Sequence, residues 1–117
     1  MSQFAPFTST RAGVLSIRFT ESEGVRAMDV DCVVDLTDFG DVVGVEILDL
    51  RRQLSGGTIE GSPTGSKIRW SYDDEIDAFY VRLSDGRGQV QRGATCTAHV
   101  DSAGRVVQLD VPVASGG

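Results

Sequence analysis

The groups in this chain best suited to chemistry are one histidine, His99, two cysteines, Cys32 and Cys96, and the carboxylates Asp73, Asp74, Glu75 and Asp77. A thiolate beside an imidazole would make Cys96 and His99 a nucleophile and its base. They stand three residues apart, and in a strand that spacing sends the side chains to opposite faces, which disfavours the pair. A lone histidine with two cysteines also falls short of a structural zinc site. Both cysteines are expected to be thiols, inward-facing and behaving as small hydrophobes. Whether they meet across the core is not legible here.

The carboxylate run could hold a cation or meet a basic partner. It lacks the glycine and the regular oxygen spacing of a calcium loop, so no metal is expected. The favoured reading is that Asp73 and Asp77 cap a turn, because aspartate accepts hydrogen bonds from nearby backbone N–H groups. Arg18 and Arg82 fall on outward faces. As a pair near the pseudo-two-fold they could hold a carboxylate or phosphate, but a cross-strand ion pair, Arg18 with Asp31 for instance, is favoured. Trp70, Tyr72 and Tyr80 gather late in the chain, and aromatics with a polar handle suit binding surfaces. The binding candidates are therefore Tyr72, Asp77, Tyr80, Arg82, His99 and Arg18. No G-x-S-x-G, H-E-x-x-H, P-loop or C-x-x-C motif occurs, so no catalytic residue and no cofactor is assigned.

The elements that position these groups follow from a repeat. Residues 13–50 and 77–114 align without a gap at an offset of 64: Arg18 falls on Arg82, Cys32 on Cys96, and Gly40 on Gly104. Within each copy, apolar residues alternate with polar ones. Leu15, Ile17 and Phe19 form one row, Val30, Cys32, Val34 and Leu36 a second, and Val43, Val45 and Ile47 a third. The second copy answers with Phe79, Val81 and Leu83, then Ala94, Cys96, Ala98 and Val100, then Val107, Leu109 and Val111. Period-two alternation is the signature of a half-buried strand.

The glycine in Asp38-Phe39-Gly40-Asp41 and in Ser102-Ala103-Gly104-Arg105 suits a hairpin turn. Ser22-Glu23-Gly24 and Asp85-Gly86-Arg87-Gly88 are read as closing the preceding hairpin. Each copy is then a three-stranded antiparallel meander, with Ile17 near Cys32 and Cys32 near Val45, and likewise Val81 near Cys96 and Cys96 near Leu109. Lys67–Tyr72 adds a strand before the second meander, and Gln3–Phe7 a weaker one before the first. Asp49–Leu54 makes one helical turn ended by Gly56.

The predicted fold is all-β: two repeated antiparallel meanders packed face to face as a pseudo-two-fold sandwich, or a flattened barrel if the edges pair. The whole chain, 1–117, is one domain of repeat one (3–52), linker (53–66), repeat two (67–113) and a frayed tail (114–117).

The stretch Tyr72-Asp73-Asp74-Glu75-Ile76-Asp77-Ala78-Phe79-Tyr80-Val81-Arg82-Leu83-Ser84 resembles the opening of a small bacterial family, domain of unknown function 2283. The closing half of that family's pattern resembles Val34-Asp35-Leu36-Thr37-Asp38-Phe39-Gly40-Asp41-Val42-Val43-Gly44-Val45-Glu46-Ile47-Leu48-Asp49, in the first copy. Each copy keeps a different half of the signature. The resemblance implies the fold and a tandem duplication. Some members look like antitoxin partners of small toxins, which implies a binding role and supplies no catalytic residue.

A net charge of −6 argues against nucleic-acid binding, which draws its affinity from basic surface. No apolar run is long enough to span a membrane, and Met1–Pro6 has neither the basic nor the apolar region of a leader. The expectation is a cytoplasmic, non-catalytic module that binds a protein partner or itself. The alternative is a small β-barrel enzyme or ligand carrier with a pocket between the repeats.

Overall fold

The computed structural model describes residues 4–56, 58–59 and 67–113. The described residues form eight strands and one helical turn, and all the strands but the first follow the alternating segments. They are β1 (Phe7–Arg11), β2 (Val14–Arg18), β3 (Arg26–Leu36), β4 (Val42–Leu48), α1 (Leu50–Gln53), β5 (Arg69–Asp73), β6 (Ala78–Arg82), β7 (Val90–Val100) and β8 (Val106–Pro112). The predicted tail, and most of the predicted linker beyond Gly56, lie outside the described residues.

The strands form one antiparallel sheet in the order β1-β2-β8-β7-β3-β4-β6-β5. The inward phase of each row is as expected: Ile17, Val34, Val45, Ile47, Val81, Ala98, Leu109 and Val111 are wholly buried. The predicted meanders are not present. β2 pairs with β8 rather than β3, and β6 pairs with β4 rather than β7. Ile17 therefore lies opposite Leu109, and Val34, not Cys32, opposite Val45. In the other half Ala98, not Cys96, lies opposite Leu109.

The reason is that alternation states which face a side chain takes, not which strand lies beside it. With two like sets of rows, partners from the other half satisfy the pattern equally well. The segments at 19–25 and 83–89 consequently do not close hairpins. They run along the sheet end, where Phe19 N–H donates to the Val107 carbonyl at 2.9 Å and Leu83 N–H to the Val43 carbonyl at 2.9 Å.

Among the described residues there is one sheet rather than two stacked ones. The continuous sheet curls into a half-barrel, so that Phe19, just past β2, meets Trp70 of β5 and Phe79 of β6 edge-on at 4.8 and 6.0 Å. Leu15, Ile17, Phe79 and Val81 fill the interior between the two sides. The outermost strands, β1 and β5, do not pair with one another. No helix among the described residues is long and apolar enough to cross a membrane.

At the centre, β3 and β7 pair over their full length, with Asp31 opposite Thr95. Cys32 and Cys96 lie diagonally across this pair and are bonded as a disulfide, with Cα atoms 6.4 Å apart. This corrects the expectation of thiols. The sequence places both sulfurs on the inward face, and the register of β3 on β7 then brings them within bonding reach.

The first strand also departs from expectation. It begins at Phe7, where the predicted segment ended, because a two-residue turn at Ala12-Gly13 joins it to β2. The helical turn is where it was predicted, ended by Gly56 at φ +93°. It buries Leu50 and Leu54 beneath the curl.

Candidate functional site

Among the described residues, the sequence-derived candidates fall into three separate polar clusters. The largest arises because Ser16, Gln108, Asp110 and His99 occupy outward positions on adjacent strands, with Ser16 opposite Asp110 and His99 opposite Gln108. The Asp110 carboxylate is its hub. The Ser16 hydroxyl donates to Oδ1 at 2.8 Å, the Gln108 amide to Oδ1 at 2.8 Å, and His99 Nε2 lies 2.7 Å from Oδ2. Burial pushes this carboxyl up, but the bonds from Gln108, His99 and Ser16 together outweigh it and hold Asp110 below the ordinary carboxylate range. Arg18 joins by donating to the Gln108 side-chain Oε1 at 3.2 Å and also donates to the Ser22 backbone carbonyl.

A serine, a histidine and an aspartate in contact invite comparison with a hydrolytic triad. The order is wrong for one. In a triad the imidazole stands between hydroxyl and carboxylate and takes the hydroxyl proton. Here the carboxylate stands between the other two, and the Ser16 proton is directed at Asp110. The arrangement orients side chains and makes no nucleophile.

The second cluster surrounds Tyr80, whose hydroxyl donates to Asp35 Oδ2 at 3.0 Å while the Gln91 amide donates to Oδ1 at 3.1 Å. Burial, then the bond to Asp35, pushes the phenol above its ordinary value. The ring lies over Gly44, where a Cβ would stand 2.1 Å from the Tyr80 oxygen. Arg82 is beside it but donates to the Gly86 carbonyl at 3.1 Å.

The third cluster is built on the β5–β6 turn. The Tyr72 hydroxyl donates to Asp77 Oδ1 at 2.5 Å, and the Arg51 guanidinium sits 5.3 Å from the centre of the Tyr72 ring. Asp77 accepts from the backbone N–H of Arg51 at 2.9 Å and of Arg52 at 3.4 Å. It thus caps α1 from a distant turn, and Asp49 at the helix start makes no side-chain cap of its own. The Tyr72 bond, followed by the Arg51 N–H, holds the Asp77 carboxyl below its ordinary range. The same bond raises the Tyr72 phenol.

Of the six binding candidates, the structure joins Tyr72 with Asp77 and places Tyr80 next to Arg82, while His99 and Arg18 belong to the Asp110 cluster. The six do not converge on one pocket. The Arg18–Asp31 pair does not form, because β8 and β7 lie between β2 and β3. Arg18 and Arg82 do not face one another either, since four strands separate β2 from β6. Asp73 behaves as expected, accepting from the Glu75 N–H at 3.0 Å within its own turn. Asp77 departs from expectation in capping a helix rather than that turn.

Among the described residues no group of three metal-ligating side chains occurs. Ser16, Asp35, Gln91, Gln108 and Asp110 were not singled out by sequence. Their outward phase was legible, but their neighbours depended on the pairing between halves. No family model, curated protein or solved structure matches the chain.

Proposed function

We propose that the chain is a non-catalytic binding module, a fused pair of like β units that takes a protein partner or a second copy of itself on an exposed sheet edge. The observation that carries this reading is the contrast between a filled interior and an uncovered margin. Leu15, Ile17, Phe79 and Val81 occupy the space a ligand carrier would keep open, whereas every residue of β1 is exposed. Exposed strand edges invite addition of a further strand.

The duplication is part of the proposal, and local bonding supports it. Thr37 N–H donates to the Asp41 carbonyl at 2.8 Å, and Asp101 N–H, 64 residues on, to the Arg105 carbonyl at 2.9 Å. The register slips between Asp35 and Leu36 in one half and between His99 and Val100, the equivalent positions, in the other. Resemblance to domain of unknown function 2283 accords with such a unit and with an antitoxin-like role. The charge of −6 suits a basic partner.

Cytoplasmic residence and the Cys32–Cys96 bond pull in opposite directions, since cytosolic thiols are held reduced. Thiol counting on freshly isolated protein separates the two. The function is tested by affinity capture followed by reconstitution from purified components. A stoichiometric complex that weakens with salt supports it; a chain that stays monomeric and takes no partner overturns it.

A further inference from the structure

We propose that β1 pairs with β1 of a second copy, antiparallel and centred on Ser9, so that two curled sheets become one. This rests on the binding-module reading and names the partner. The two-residue turn at Ala12-Gly13, with φ of +52° and +79°, makes Arg11 and Val14 the closing pair of a tight hairpin. The backbone groups of Arg11, Ser9 and Phe7 are therefore directed at β2, and those of Thr8 and Thr10 outward. Among the described residues no strand lies on that side. The edge carries no bulge, and β1 has no lysine, proline or carboxylate; its one charge, Arg11, sits beside the turn and clear of the outward groups of Thr8 and Thr10.

Self-pairing has one register that satisfies every outward group. Centred on Ser9, Thr8 of each copy exchanges hydrogen bonds with Thr10 of the other. Phe7, half exposed, then meets Arg11 of the second copy at each end, ring against guanidinium. Centring on Thr8 instead sets Pro6, which has no N–H, opposite Thr10. Centring on Thr10 sets Thr8 opposite Ala12, which is in the left-handed turn and not extended. Of these three registers, only the Ser9 one gives both outward-bonding residues, Thr8 and Thr10, an extended partner that carries an N–H, and it also keeps the two copies of Arg11 apart.

The test uses the full oxidised chain. Sedimentation over a range of concentrations is expected to show a monomer–dimer equilibrium. The double variant Thr8→Lys/Thr10→Lys, which faces lysine with lysine, is expected to weaken it at least about tenfold with an unchanged far-ultraviolet spectrum. Independently, Ser9→Cys places two thiols at a non-hydrogen-bonded pair, where Cα atoms approach to about 4.5 Å, close enough to bond. Ser9→Cys is expected to cross-link copies under mild oxidation, and Phe7→Cys not to. Dimers that resist the lysine variant, or that cross-link as readily through Phe7→Cys, overturn β1 pairing while self-association stands. A wild-type chain that is monomeric throughout also overturns it, and leaves the binding-module reading to partner capture.

Discussion

Gly44 shows how one absent side chain holds a polar cluster together. The Tyr80 ring occupies the place a Cβ would take, and from there its hydroxyl reaches Asp35. Gly44→Ala is expected to displace the ring, at a cost of about 1–3 kcal/mol for overpacking. The phenol, pushed up first by burial, should then titrate closer to its ordinary value, as read by ultraviolet pH titration in a Tyr72→Phe background.

Asp77 makes a second prediction at this scale. Its carboxyl lies below the ordinary range because of Tyr72 and then the Arg51 N–H. A depressed carboxylate contributes stability that is present above its unfolded value, near 3.9, and is lost as pH falls through the folded value. Asp77→Asn should therefore lower stability at neutral pH and flatten the decline in acid. Urea midpoints across the acid range check both.

At the scale of elements, α1 acts as a plug rather than as a helix in its own right. One turn is too short to be stable alone, so its place depends on Leu50 and Leu54 beneath the curl and on Asp77 above. Leu54→Ala should cost about 2–5 kcal/mol in chemical denaturation, as for other fully buried leucines. Gln53 adds a polar tie. Its amide accepts from the Asp31 N–H at 2.7 Å and donates to the Asp31 carbonyl at 3.1 Å, as a neighbouring strand would.

These elements mark how far the sequence could be read. Period-two rows disclosed the strands other than β1, and with them the inward faces, while glycines marked the turns, because each depends on a few adjacent residues. Tyr72 and Asp77 were each singled out, but not their bond to one another or the reach of Asp77 to α1, which depends on how β5 and β6 sit over that helical turn. The pairing of β2 with β8 was not legible, since Leu109 and Cys32 offer Ile17 the same kind of neighbour. The Asp110 cluster was hidden for the same reason: the partners Ser16 and Asp110 are 94 residues apart. The disulfide was missed because the expectation of a cytoplasmic chain argued for thiols, while its geometry followed from the register of β3 on β7.

For the whole molecule, the Cys32–Cys96 bond closes a long loop whose ends are 64 positions apart. Loop-closure entropy sets its stabilisation at about 4 kcal/mol. Reducing the unmodified chain should lower its unfolding free energy by up to that amount, measured in denaturant with and without dithiothreitol. Near-complete insensitivity to reductant would show that the unfolded chain is not constrained by the link.

The interleaving of β2 with β8 also has a bearing on biosynthesis. β2 rests against a strand made about 94 residues later, the separation of Ser16 and Asp110. At about 5–20 residues per second, β2 leaves the ribosome roughly 5–20 s before its neighbour exists. Throughout that interval Leu15 and Ile17 have no cover from β8, and the nascent chain depends on chaperones or on its own speed to avoid clumping.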